Sequence, residues 1–547
     1  MYKRQGRRID VVGTAGSAGV IYDFNGVPTP PPAGIDEGIT PAAVWIRASG
    51  DGQGLRAEGG QINVVGGNGD VLLQRGGQAD ALLSTASRTV AGGAIAVTGR
   101  NIYGGGLAGA TGKLADASGA GTGGDIRFEA SVSDKTGGML ALATGMGLLA
   151  DSTSASGNGG NIRLLAGNGL RAHGTLSARG GSAGGNGGFI ETSGTQFDLT
   201  GIRVNAGAPA GTAGQWLIDP YAVTIVNGAA AGTLPTNPFD AVATSTIQDG
   251  DINAALNGGA SVKITTGTGG PGAGSITLAN NALIDYNAAF GPLSFELASG
   301  NSIQGGLGTV IRSSGKGGPL TVLFNAGVNP DGTPAATPGS ISYNGTIATR
   351  GGSVTMNARG DGSPTSGFIQ LNGATVQTDG GAVTLYSGQP GAPTGYVALV
   401  DSQIDTRVGQ TDAGAGGAVQ IAGGNVTLAG AQIASSTGNV DIRGTSADWN
   451  SGVVITDGRT PSTISTTSGN VTVQGVARRQ ASSTFAAAHG VLVNGGSSIT
   501  TGSGSIALRG YNFNNDTTVP AATPDSGVRL ENLSLIHISE PTRLGMI

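Results

Sequence analysis

Short runs of alternating apolar and polar residues recur along nearly the whole chain, and a glycine pair opens many of them. Gln61-Ile62-Asn63-Val64 follows Gly59-Gly60, and Ala94-Ile95-Ala96-Val97 follows Gly92-Gly93. The pattern returns at Gly123-Gly124, Gly159-Gly160 and Gly187-Gly188, then at Gly351-Gly352, Gly380-Gly381 and Gly416-Gly417. Looser copies start at Gly469 and Gly504. Alternation of period two turns one side of each run inward and predicts half-buried strands. The copies lie on the order of 30 residues apart, a spacing typical of solenoid repeats. One coil divides into three short strands at 161–165, 169–172 and 175–178, closed by Gly180-Gly181. Glycine and asparagine are expected at the corners because they accept the positive φ of sharp turns. Successive coils would pair in parallel, about 4.8 Å apart, giving a rod on the order of 80 Å long. The predicted fold is all-β, a right-handed parallel β-helix, with the hand taken from the general preference of parallel crossovers.

Two stretches interrupt the pattern. Residues 26–42 contain Pro28, Pro30, Pro31 and Pro32, and proline lacks the donor a central strand needs, so a loop is expected there. An irregular break is expected near 206–245, where Trp216 and Tyr221 appear in an aromatic-poor chain and Asp219-Pro220 separates two apolar runs. Residues 251–257 beyond it suit a single helical turn with Asp251 near its cap. The organisation predicted is a first β-helix block over 6–205, a connector over 206–266 and a second block over 267–532. The strings at 1–5 and 533–543 resemble translated transposase-adapter sequence, so 1–5 and 533–547 are set aside as expected scars, and the native ends are expected to be missing.

Composition supports a solenoid over a globule. Of 547 residues 104 are glycine and 4% are aromatic, too few bulky side chains to fill a three-dimensional core. A slender column filled one layer at a time needs only Val, Ile, Leu and Ala. Net charge is −5, with no basic stripe of the kind nucleic acid requires, and no apolar run could span a membrane. Cysteine is absent, as suits a long exported chain or simple depletion.

Candidate chemistry is sparse. His173 and His489 have no ligand cluster at metal spacing and are expected at solvated or turn positions. Asp249 and Asp251 are the closest carboxylate pair in the middle of the chain, and helix capping accounts for at least one of them. No thiol nucleophile or nucleophile elbow exists, and no cofactor is expected. The region 66–72 approaches a calcium-binding repeat, but its aspartate falls one place early, so a turn is the better account. Arg359-Gly360-Asp361 follows the strand at 354–357 and should sit in a turn, a tripeptide able to engage integrins if exposed.

Three strings carry a resemblance: GGNGGFIETSG at 184–194, WLIDPYAVTI at 216–225 and INAALNGGASVKITT at 252–266. In that order they resemble filamentous-haemagglutinin-like exoproteins of two-partner secretion in Gram-negative bacteria. The resemblance implies right-handed β-helices, export through an outer-membrane β-barrel transporter, and a secreted or cell-surface location. It also implies attachment to host-cell or surface glycoconjugates or receptors, and no catalysis. The amino-terminal domain such a transporter recognises is not in this sequence. Two other readings remain open from sequence: a carbohydrate-active β-helix enzyme, and the stalk of a contact-dependent toxin whose active tip lies elsewhere.

Overall fold

The computed structural model describes residues 8–13, 43–130 other than Asp51 and Gln78, 138–267, 274–360, 367–389, 393–411, 414–446, 451–479, 488–514 and 526–537. The proline-rich stretch 26–42, Asp361 and Trp449 lie outside them.

The chain is a parallel β-helix with three faces. The first face stacks the strands that follow the glycine pairs, among them Gln61–Val65, Ala94–Gly99, Asp125–Ala130 and the start of Asn161–Ala172. The second face stacks strands such as Ile303–Gly305, Ile341–Tyr343, Ile369–Asn372 and Tyr396–Val400. The third face is formed by a six-stranded and a nine-stranded sheet. No helix among the described residues is long and apolar enough to cross a membrane.

Register between coils places like on like. On the first face Ile62, Ile95, Ile126, Ile162, Ile190, Trp216, Val262, Phe295, Val322 and Val354 form one continuous inward column. The third face has a matching column of Ile284, Ile311, Ile347, Val376, Ile404, Ile433 and Ile464. These side chains are almost wholly removed from water. Each residue contributes about 1.5–3 kcal/mol by burial, so stability accumulates coil by coil.

The glycine pairs have a steric cause that differs from the expected one. At the second glycine, a Cβ would overlap the backbone of the coil beneath: Gly93 against Gly60, Gly124 against Gly93, Gly160 against Gly124 and Gly188 against Gly160. The same contact recurs between Gly381 and Gly352 and between Gly417 and Gly381. None of these second glycines has a positive φ. They are required by close approach of backbone to backbone, and only some first glycines, such as Gly351 (φ 98°) and Gly380 (φ 101°), serve the left-handed corner.

The two halves close this corner differently. In the first, the second glycine's N–H donates to an alanine carbonyl: Gly124 to Ala117, Gly160 to Ala150 and Gly188 to Ala178. In the second, a buried threonine hydroxyl donates to the glycine carbonyl, as Thr378 does to Gly381 (2.5 Å), Thr406 to Gly417 (2.7 Å) and Thr466 to Gly469 (2.6 Å).

The irregularity near the middle is a reversal of strand order. Gly214–Asp219 is an ordinary first-face rung between Phe189–Asp198 and Ala260–Thr265. On the second face, however, Thr246–Gln248 lies between Asp198 and Val223–Val226. The segment 227–245 carries the chain back down one level. Arg171, buried in the face below, holds it by donating to the carbonyls of Pro238 (3.3 Å), Ala241 (3.1 Å) and Asp240. The second face therefore gains a strand at this level. The third face gains height too, because the α-helix Asp249–Asn257 takes the place of a strand between its two sheets. A helix is about 10 Å across, against about 4.8 Å for one strand spacing, so both faces gain about one layer.

The helix also imitates the strand it replaces. Asp249, Asn253 and Asn257 lie on one helical face at intervals of four. The Asp249 carboxylate accepts from the Leu283 N–H (2.7 Å). Asn253 donates to the Leu283 carbonyl (2.7 Å) and accepts from the Asp285 N–H (2.7 Å). Asn257 donates to the Asp285 carbonyl (3.0 Å) and accepts from the Asn287 N–H (2.7 Å). Four helical residues rise about 6.0 Å and two strand residues about 6.6 Å, so the two repeats keep step. Ile252, Ala255 and Leu256 fill the column inside.

Residues Ser534–His537, set aside on sequence grounds, pair as a strand with Ser498–Thr501. The unpaired backbone of an open parallel edge accepts such a strand.

The steric account predicts a sharp contrast. Gly160→Ala should cost about 3 kcal/mol by forcing backbone apart, and Gly291→Ala, with open space around it, should stay within about 0.5 kcal/mol in urea unfolding. Asn253→Leu should leave the Asp285 N–H unpaired at a cost of about 1–3 kcal/mol, read as faster hydrogen exchange across Leu283–Tyr286.

Candidate functional site

Outward positions of a parallel β-helix also stack, so residues one coil apart become neighbours. Over Ala260–Thr265, Leu293–Ser299, Leu320–Ala326, Val354–Ala358 and Val383–Ser387 this produces a polar floor. Lys263 stands opposite Glu296, and Ala298, Asn325, Asn357 and Tyr386 form the adjoining row. Lys263 Nζ and Glu296 form an ion pair of 3.1 Å. Asn357 Nδ2 donates to Asn325 Oδ1 at 2.8 Å. The Tyr386 hydroxyl donates to the Gln389 carbonyl at 2.5 Å, which fixes its ring at the groove's end.

A wall rises where the first face turns into the second. Residues 327–340 leave the coil and fold on themselves: Asn329 N–H donates to the Thr333 carbonyl (2.8 Å), and Asn329 Nδ2 to Thr333 Oγ1 (3.0 Å). Asp331 accepts from the Thr333 hydroxyl (2.6 Å) and N–H, which hold its carboxyl below the usual range. Val328 N–H is tied to the Ser299 carbonyl (2.9 Å). Wall and floor enclose a groove of about 380 Å³, lined by Lys263, Glu296, Asn325, Asn357, Arg359 and Tyr386 together with Val328 and Pro330. That volume lies within the common range of small-ligand sites, about 300–1,000 Å³.

Arg359 is thus part of a groove. Its backbone is held in the coil stack, its N–H donating to Ala326 (2.9 Å) and its carbonyl accepting from Gly339 (2.7 Å). The side chain is half-buried, and the guanidinium has no hydrogen-bond or ion-pair partner among the described residues. Gly360 is buried, and its carbonyl accepts from Gln389. Asp361 lies outside the described residues.

A second groove, of about 610 Å³, runs along the third face of the first half. Its carboxylates are paired off, Asp80 with Arg56 (2.6 Å), Asp116 with Lys113 (3.0 Å) and Asp151 with Arg179 (2.8 Å), while Arg88 lines the groove without an ion pair among the described residues. Asp151 additionally accepts from the Ser177 hydroxyl (2.6 Å) and the Arg179 N–H (2.7 Å). These carboxylates are structural acceptors already occupied.

The other candidates change character in the structure. Asp249 and Asp251 do not cap the helix, whose N-cap is Gln248 with no side-chain cap bond. Asp249 reaches into the coil above, and Asp251 into the coil below, where it accepts from Gly201 N–H (2.9 Å) and Arg203 Nη1 (2.6 Å). Burial pushes the Asp251 carboxyl above its ordinary value, against the pull of Gly201 and Arg203. Neither histidine is solvated. His173 is 2% exposed with Nδ1 2.7 Å from the Thr200 carbonyl, and His489 is 3% exposed beside Ser526. His173 fills a corner crossed by the chain at Thr200 and Gly232, and His489 opens the strand His489–Val493, placements that sequence spacing does not register. The calcium-like stretch is a turn in which Asp70 accepts from Asn101 (2.9 Å). Among the described residues no group of three or more His, Cys, Asp or Glu could hold a metal ion.

Of the groove residues, only Arg359 is singled out by sequence. Asn357 and Tyr386 sit at the same offset after Gly352 and Gly381, so coil-to-coil alignment on the glycine pairs exposes that part of the row. Comparison with protein-family models and with curated proteins finds no match to this chain.

Asp251 gives a pH prediction. Its raised value means the folded state holds a proton more tightly than the unfolded state. The resulting stability is fully present below the ordinary value of 3.8 and is lost as pH rises through the folded value. The melting temperature of the parent relative to Asp251→Asn should therefore fall as pH rises above the ordinary value of 3.8. A pH-independent difference would contradict the assignment.

Proposed function

We propose that the chain is the shaft of a secreted or cell-surface bacterial exoprotein that attaches to cells or surfaces and performs no catalysis. In this reading it is exported by an outer-membrane β-barrel partner, as the three haemagglutinin-like strings suggest. The observation that carries the attachment reading is the walled groove on the outer face, with a guanidinium that has no partner among the described residues. A column of small aliphatic side chains leaves every outward position free to vary without disturbing the fold. Recognition residues then accumulate on the surface, and loops at the corners shape them. Those three strings fall on consecutive coils around the strand reversal and helix, where the repeat is rebuilt.

Beads coated with the purified chain test this. Saturable attachment to epithelial cells, several-fold above albumin-coated beads and competed by soluble chain, is expected. Attachment equal to albumin would overturn the reading.

A further inference from the structure

We infer that the groove walled by residues 327–340 binds a carboxylate-bearing saccharide residue. This gives the attachment reading a ligand class, and the reasoning rests on the distribution of unmet polar capacity in the groove.

At one end stands Arg359, half-buried and without a partner among the described residues. A guanidinium offers a planar fork of donors that matches a carboxylate in two parallel bonds. At the other end Lys263 is already neutralised by Glu296 at 3.1 Å. Among its described lining residues the groove therefore presents one uncompensated positive charge, at Arg359, too little to hold a densely anionic ligand. A ligand with a single negative charge near Arg359 and a neutral body toward Lys263 fits this pattern.

The floor between these ends describes that body. The Asn325–Asn357 pair uses one bond internally, which leaves one amide NH₂ and one amide oxygen directed at the groove. Adjacent hydroxyls, each both donor and acceptor, satisfy such a pair. Tyr386 supplies a ring fixed by its hydroxyl, a surface for the C–H face of a pyranose. Val328 and Pro330 add an apolar wall whose loop is internally hydrogen-bonded, so little ordering is needed on binding. Charge, hydroxyl recognition and an apolar face together describe an acidic sugar of the hexuronate or sialic-acid kind.

Titration calorimetry of the whole chain tests this with sialyllactose and a hexuronate tetrasaccharide, against lactose and a neutral tetrasaccharide. Binding of at least one acidic probe, at least tenfold tighter than its neutral counterpart, is expected. Arg359→Ala should weaken that binding at least tenfold with unchanged circular dichroism. Arg359→Lys should retain part of it, and Tyr386→Ala should weaken acidic and neutral probes alike. Equal binding of acidic and neutral probes, no binding of either acidic probe, or an unaffected Arg359→Ala variant would overturn the inference. Bead attachment that persists in Arg359→Ala removes this groove and leaves the attachment reading in place. Saccharide binding without bead attachment does the reverse.

Discussion

Backbone-to-backbone contact at one corner of the glycine-paired coils is the constraint on which most of this structure depends. The second glycine of each pair rests on the backbone of the coil beneath, with no room for a Cβ. That contact brings consecutive first-face strands into register, and register then lays isoleucine on isoleucine and valine on valine. Where the pair occurs, glycine is required by its neighbour's backbone; at Ala260, Leu293 and Leu320 the same register position carries a side chain and the column continues.

Because each coil adds only a few inward side chains per face, no single side chain dominates the energy of the column. The exception is the level around 214–266, where three departures compensate one another. A reversed strand adds a layer to the second face, a helix adds a layer to the third, and Arg171 clamps the connecting chain. The helix joins a strand through Asp249, Asn253 and Asn257 because four residues of one rise nearly as far as two of the other. Polar side chains there perform the pairing that backbone performs elsewhere.

The outer surface follows different rules from the interior. Most of its charges are neutralised locally, as along the third face of the first half. Exposed pairs such as Arg8 with Asp10 add little stability, about 0–1 kcal/mol each. The groove at the corner of the first and second faces differs because Arg359 and the asparagine pair retain unused hydrogen-bonding capacity. Its wall is an excursion between two rungs, a kind of insertion that a solenoid tolerates because neighbouring coils still meet.

The sequence by itself determined the strands, their inward residues and the coiled parallel architecture, because alternation and glycine spacing are local patterns. Ile62, Ile95, Ile126 and Ile162 are legible as one column once the glycine pairs are aligned. It also marked the neighbourhood of 206–245 as irregular, through its composition. Only the tertiary structure decided that 246–248 lies beneath 223–226, that Asp249 and Asp251 bridge coils instead of capping a helix, and that Arg359 faces Asn325, Asn357 and Tyr386. Those facts depend on which residues meet across coils of unequal length. Unequal excursions change the offset from one level to the next, so no fixed spacing in the sequence encodes them.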